Sequence, residues 1–181
     1  MPDSPRLSHA QVALLGLLSE RPMHAWEIER TARHRDMRSW TDLSTSTIYK
    51  HLSALAAAGH VRYVEEVSDG RLRKVYSPTE QGSEELRASL RGLLSEPRQP
   101  TWPVDLATYN LDLLPREEAI ACLEVYRRRL GEAAEGYRAL DRYLDGAGCP
   151  LPRRAVARRP LHLIDGEIRW VDEFLDELRL S

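Results

Sequence analysis

The order of apolar and polar positions divides the chain into two parts with different periods. In the first part, Ser8 and Gln11 have capping-box spacing. They open a helix predicted over residues 10–19, apolar nearly all round and therefore expected to be buried, which Arg21-Pro22 ends. A second helix is predicted over residues 24–34, with Trp26 and Ile28 among its apolar positions. Ser44 caps a third, in which Ile48, Leu52 and Leu55 form one stripe. Thr47, Lys50, His51 and Ala54 form the opposite stripe, with Tyr49 beside it, and Gly59 stops the helix at C′. Two strand-like runs, residues 60–67 and 72–78, flank Asp69-Gly70, a strong hairpin signal. Val61 and Tyr63 should share one face of the first run, with Arg62 on the other. Thr79 caps a fourth helix through Leu86 and Leu90 to about residue 94.

"EPRQPTWP", residues 96–103, has three prolines in eight positions and cannot continue a helix. Beyond it a short helix over residues 104–114, ended by Pro115, is expected to pack near two longer ones. The period becomes heptad-like: Leu123, Leu130, Tyr137 and Leu144 are seven apart, and Ala119, Tyr126, Ala133 and Leu140 fill the complementary positions. Leu161, Ile164, Ile168, Val171, Leu175 and Leu178 continue the pattern at spacings of 3 and 4. "DGAGCPLP", residues 145–152, joins these seams into an antiparallel helical hairpin. The predicted fold is mainly α with a small β-hairpin wing. A winged helix-turn-helix domain (1–95) is followed by a Pro-rich linker (96–103) and a coiled-coil-like helical domain (104–181).

Composition narrows the function. The 181 residues are 42% hydrophobic and 30% charged, the longest apolar run (residues 12–18) is too short to span a bilayer, and no leader pattern is present. A cytoplasmic protein without a membrane partner is expected. Net charge is -2, distributed as 13 basic against 12 acidic residues over 1–95 and 13 against 16 over 96–181. Local clusters therefore carry the argument: Arg30, Arg33 and Arg35 in one stretch, Arg71, Arg73 and Lys74 in another. Cys122 and Cys149 suggest neither a metal site nor a disulfide framework, and the six histidines show no i, i+4 pairing. With no nucleophile elbow, zinc motif or phosphate-binding glycine loop, the expectation is no enzyme, no cofactor and no metal.

A helix that reads the major groove needs short hydrogen-bonding side chains at its N-terminus, and a cation and an aromatic that reach phosphates. Ser44, Thr45, Ser46, Thr47, Tyr49 and Lys50 supply that set; Arg71, Arg73 and Lys74 would let the wing follow the adjacent backbone. The competing reading is that the hydroxyls cap a helix and the charges blunt an edge strand.

"STSTIYKHLSALAAAGHV", "GRLRKVYSPTEQG" and "LLGLLSERPMHAWEI" together resemble three ordered motifs of the PadR family of transcriptional regulators, over about the first 95 residues. The helical hairpin resembles the C-terminal domain of the longer, two-domain members. The resemblance implies DNA contacts at Tyr49, Arg71, Arg73 and Lys74; Thr47 and Lys50 rest on helix geometry. Three departures from the family pattern stand out: Ala25-Trp26 for Gly-Tyr, Ser46 for Gly and Lys50 for Pro. An indole N–H at Trp26 can still donate to a phosphate.

A homodimer on palindromic double-stranded DNA is expected, because two-fold symmetry doubles the contacts. Leu123, Leu130, Tyr137, Ile164, Ile168, Val171, Leu175 and Leu178 are its candidate residues, whether the seams close within or between chains. Leu163, Trp170 and Phe174 form a further stripe, for the short helix, a dimer interface or a ligand pocket. Trp102, Tyr109, His162 and Trp170 are candidates for a small-molecule effector. Family members include repressors released by phenolic acids or antibiotics, which implies a repressor with a small aromatic inducer. The alternative is a metal- or protein-responsive winged-helix adaptor.

Overall fold

The computed structural model describes residues 7–39, 41–68, 71–97 and 102–180, without the side chains of Ser39, Ser68 and Arg71. The Asp69-Gly70 turn, the Arg71 side chain and residues 98–101 of the Pro-rich segment lie outside the described residues. Two compact units divide between Gln99 and Pro100. As the pattern predicts, the architecture is mainly helical with a small antiparallel sheet.

The first unit runs α1 (His9–Glu20), β1 (Met23–His24), α2 (Ala25–His34), a 3-10 turn (Met37–Ser39), α3 (Thr45–Ala57), β2 (Val61–Ser68), β3 (Arg71–Pro78) and α4 (Glu80–Ser95). The α1 capping box is formed: the Gln11 N–H donates to Ser8 Oγ at 3.3 Å, and the Ser8 N–H to Gln11 Oε1 at 2.9 Å. Leu14, Leu15 and Leu18 of α1 pack with Ile28, Leu43, Ile48, Leu52 and Leu55 in an apolar core. Full burial of each such side chain is worth about 1.5–3 kcal/mol.

One expectation changes here. His24 is not the first residue of a helix; with Met23 it forms β1, paired to Val75 and Tyr76 on the outer edge of β3, so the sheet order is β1-β3-β2. Pro22 explains it by forcing Arg21 into an extended conformation (φ -167°, ψ 159°), from which the chain leaves as a strand. Helix α2 then starts one residue later, and the His24 N–H donates to Glu27 Oε2 at 2.9 Å.

Gly59, at φ +75°, closes α3 with a Schellman turn: the His60 N–H reaches Leu55 O at 2.9 Å and the Gly59 N–H reaches Ala56 O at 3.1 Å. Thr79 clasps that turn to α4. Its hydroxyl donates to Gly59 O (2.7 Å) and accepts from the Gly82 N–H (3.0 Å), while its own N–H donates to His60 O (3.0 Å). Gly82 lies so close that a Cβ there would sit 1.9 Å from His60 O. The Thr-x-x-Gly spacing thus exists because a helix start is pressed against a helix end.

The second unit contains α5 (Pro103–Tyr109), a 3-10 turn (Leu111–Leu113), α6 (Arg116–Gly146) and α7 (Leu151–Leu180). Helix α5 is shorter than the predicted 104–114, because the Asn110 side chain donates to Leu106 O at 2.9 Å and occupies a terminal carbonyl. None of its residues is buried. Leu123, Val171 and Leu175 form the buried centre of the α6–α7 hairpin, with Tyr126, Leu130, Leu178, Trp170 and Phe174 packed on it. Trp170 and Phe174, read as a separate stripe, therefore belong to the same cluster.

The heptad reading of α6 drifts out of register toward its C-terminus. Ala134, not Ala133, is buried, and Leu140 is exposed where Asp141 is partly covered and pairs with Arg154 and Arg158 of α7. A helix has 3.6 residues per turn, so a strict seven-residue repeat slips about 20° per heptad. Across three heptads that adds up to about 60°, more than half of the roughly 100° between neighbouring residues, so the inward position moves toward the next residue.

Candidate nucleic-acid interface

At the head of α3, four consecutive hydroxyls have different fates. Ser44 Oγ accepts from the Thr47 N–H at 3.3 Å, and Thr47 Oγ1 accepts from the Ser44 N–H at 2.7 Å, a second capping box. Thr47 Oγ1 also donates to Asp42 O at 2.8 Å. Thr45 donates to Glu29 Oε1 of α2 at 2.7 Å. That hydrogen bond, with the Arg33 and Arg38 guanidiniums nearby, holds the Glu29 carboxyl below its ordinary range. Ser44, Thr45 and Thr47 thus fix the angle at which α3 leaves α2, while Ser46, Tyr49 and Lys50 stand exposed on the outward face.

The hairpin register gives the wing two different faces. Tyr63 lies opposite Tyr76, Glu65 opposite Lys74 and Val67 opposite Leu72; on the other face are Val64 opposite Val75 and Glu66 opposite Arg73. Arg73 and Lys74, adjacent in sequence, therefore point to opposite faces. Each has a carboxylate directly across the strand pair, so the wing is less basic than "RLRK" alone suggests. Lys74 Nζ sits 4.0 Å from the centre of the Tyr63 ring, and its pKa is raised, chiefly by Tyr63.

Trp26 joins α2 to this wing. The Arg30 guanidinium lies 4.9 Å from the centre of its ring and the Arg73 guanidinium 6.0 Å. The His24 ring stacks beside it at 6.2 Å, and His24 Nδ1 lies 3.1 Å from Lys74 O, where it donates. Arg30 was legible only as part of a basic cluster. Its neighbours are committed elsewhere: Arg33 pairs with Glu29 at 2.7 Å and Arg35 with Glu20 at 2.6 Å. The sequence signal separating Arg30 from them is its i+4 spacing from Trp26.

The residues proposed for dimerisation and effector binding divide as well. Leu123, Val171 and Leu175 are buried within this chain's own hairpin. Leu130, Tyr137, Ile164, Ile168 and Leu178 are partly covered. Trp102 and His162 are exposed, Tyr109 is 86% exposed, and Trp170 stacks on Phe174 at 5.7 Å. Among the described residues no ring contact joins these four. Tyr126 donates to Glu167 across the hairpin, and burial, reinforced by that carboxylate, pushes its pKa up to about 12. Among the described residues no cluster of His, Cys, Asp or Glu could hold a metal ion, and no helix is long and apolar enough to cross a membrane.

Comparison with known proteins places this geometry. No curated protein matches the chain significantly. The structure of Bacillus subtilis PadR in complex with operator DNA is similar at a TM-score of 0.77, with 18% identity over 93% of this chain and 98% of that one. The same protein in complex with p-coumaric acid gives 0.73 at 18% identity, again covering 93% and 98%. The Vibrio cholerae virulence activator AphA gives 0.66 at 21% identity, covering 94% of this chain and 98% of that one. The Transcriptional regulator PadR-like family model matches residues 14–88, the span from α1 to α4 that carries the third helix, the wing and the Thr-x-x-Gly clasp. Over that span the winged-helix unit is similar to the PadR-like family of transcriptional regulators.

Proposed function

We propose that the protein is a homodimeric regulator of transcription in the cytoplasm that binds a palindromic DNA operator and is released from it by a small aromatic molecule. The observation that carries the DNA-binding part is the outward face of α3. Ser46, Tyr49 and Lys50 are exposed at a helix start whose other hydroxyls are consumed in fixing its direction, in a domain similar to a regulator family. Lys50 and Ser46 would meet base edges and Tyr49 the backbone, while Arg71, Arg73 and Lys74 follow the neighbouring phosphates. Ser44, Thr45 and Thr47 act by holding the helix.

Support for a dimer comes from the second unit. Leu106, Tyr109 and Leu113 are 71%, 86% and 82% exposed, and a seven-residue helix with no buried side chain is unstable alone in water. A second copy would cover this surface; in that assembly Leu130, Tyr137, Ile164, Ile168 and Leu178 line the seam from within. Residues 1–95 would then serve as the reading head and residues 104–181 as the spacer between two heads. The effector part is supported by the aromatic ligand of Bacillus subtilis PadR and by the exposed Trp102, Tyr109 and His162 here. Repression follows the habit of that family.

The test is fluorescence anisotropy with DNA from upstream of the protein's own gene, at several salt concentrations, for wild type and Lys74→Ala. Sequence-preferring binding whose log–log salt slope falls by about one in the variant is expected. Binding no better than to random DNA refutes the operator part. Light scattering at micromolar concentration reads the dimer, and a monomeric mass refutes it. Phenolic compounds that leave both DNA affinity and tryptophan fluorescence unchanged refute the inducer.

A further inference from the structure

The wing carries its cations against carboxylates. From Val61 to Pro78 the sequence has four basic and three acidic residues. The register sets Glu65 directly opposite Lys74 and, on the other face, Glu66 directly opposite Arg73. Side chains paired in this way start about 4.5–5.5 Å apart at Cβ. Glu65 and Lys74 share the wing face of Tyr63 and Tyr76, and both are exposed. Lys74 Nζ rests 4.0 Å from the centre of the Tyr63 ring, and Glu65 is among the groups that raise its pKa, after Tyr63, the largest. Burial raises the Tyr76 pKa, Lys74 opposes it, and Tyr63 and Tyr49 add to it, so this face of the wing adjoins the outward side of α3. A carboxylate therefore stands beside the cation that the wing presents next to the reading helix. An exposed pair of this kind contributes little to folding. Its effect on DNA is larger, because a cation neutralised within the protein gains little from a phosphate until that phosphate displaces its partner. In a loose, purely electrostatic complex the phosphates stay mobile and do not displace it. Where base contacts of α3 fix the duplex, one phosphate is held at contact distance and does.

We propose that Glu65 is a specificity-determining residue: it neutralises Lys74 and makes the contact of that cation with a DNA phosphate conditional on the docking of α3. The gate rests on the DNA-binding reading above. It adds a repulsive element, which lowers binding to unrelated sequence more than binding to the operator. The Tyr63 ring, which carries the ammonium, holds it on the face that adjoins α3.

The full-length protein is titrated with its upstream DNA and with DNA of random sequence at a series of salt concentrations. The variants are Glu65→Gln, Lys74→Ala, the two combined, and Lys50→Ala for the reading helix, with thermal melting as the folding control. Lys74→Ala alone should lower the log–log salt slope by about 0.9 on upstream DNA, one phosphate contact, and leave it unchanged on random DNA. Glu65→Gln should tighten random DNA about threefold to tenfold at low salt and raise its slope by about 0.9. Upstream DNA should tighten less, so the ratio between the two falls. In the double variant the gain on random DNA should vanish, because Lys74 carries it. A merely structural carboxylate would shift the melting temperature without any gain on random DNA. Equal tightening on both DNAs overturns the conditional contact, and a gain that survives in the double variant overturns Lys74 as its cation. No gain in Glu65→Gln overturns the gate, and weakening by Lys50→Ala on upstream DNA then leaves the DNA reading standing. If wild type does not distinguish its DNA from random sequence, the DNA reading itself fails and the gate fails with it.

Discussion

The two units solve the problem of burial differently. The winged-helix unit closes on itself: α1 is covered almost all round, and its core reaches from Leu14 through Leu52 to Leu86. Among the described residues the helical unit buries a small cluster of Leu123, Val171 and Leu175, besides Ala119 and Ala134, and leaves Leu106, Tyr109, Leu113 and Tyr143 in water. The winged-helix unit buries a large core within its own chain and leaves apolar side chains in water chiefly on the wing, at Val64, Val67 and Leu72, and along α4, at Leu90, Leu93 and Leu94, whereas the helical unit has far less core to set against its exposed apolar surface. The difference is that between a unit with an extensive core of its own and a unit whose apolar surface is left largely uncovered by its own chain.

The largest expected effect lies in the winged-helix unit. Gly82→Ala would drive a methyl group into His60 O, and backbone on both sides leaves little room to yield. We expect a loss of about 3 kcal/mol or more. In hydrogen exchange on the full chain, protection should collapse from α3 to α4 and persist in α6 and α7; collapse of both together would show that the units do not stand independently. Leu175→Ala should cost about 2–4 kcal/mol by opening a cavity in the smaller core. Its loss of protection should be confined to α6 and α7, and because the dimer is proposed to rest on that unit, DNA affinity should fall more steeply on dilution than in wild type.

Glu29 tests how firmly the winged-helix unit holds its reading helix. Its carboxyl is held below the ordinary glutamate value first by the Thr45 hydroxyl, then by Arg33 and Arg38. A lowered folded-state pKa means the contribution is complete above the unfolded value and is lost as pH falls through the folded one. Wild type should therefore unfold at higher urea than Glu29→Gln at neutral pH, and the two midpoints should converge in acid. A constant gap across that range would show that the amide replaces the carboxylate fully.

How much was legible in the sequence follows the same division. In the first unit the helix caps, the Gly59 stop and the α3 stripe are local signals, each written within a few residues, and all of them formed. What was not legible there came from contacts between distant segments. The pairing of Met23-His24 with β3, Glu65 and Glu66 facing Lys74 and Arg73, and Arg30 with Arg73 on Trp26 all depend on register across the fold. In the second unit the a/d pattern located the hairpin but not its full register. A heptad template assumes supercoiling, and α6 at its ordinary helical pitch brings Ala134 and Asp141 inward in place of Ala133 and Leu140.

The smallest expected effect uses the same substitution as the largest and should have the opposite sign. Gly131 and Gly136 lie inside α6, and a Cβ at either would meet nothing within 4 Å. Gly136→Ala removes backbone freedom from the unfolded chain at no steric cost in the single chain, so it should stabilise the helical unit by about 0.5–1 kcal/mol. Urea unfolding followed by the α6–α7 helical signal reads it. The gain holds only if the face carrying Gly136 is open to water. Helices that pack closely on one another use glycine to let their backbones approach, so a variant that raises the midpoint of the dilute protein but weakens self-association would put the second copy on this face of α6. A variant that raises the midpoint at every concentration would leave α5, with Leu106, Tyr109 and Leu113, as the surface the partner covers.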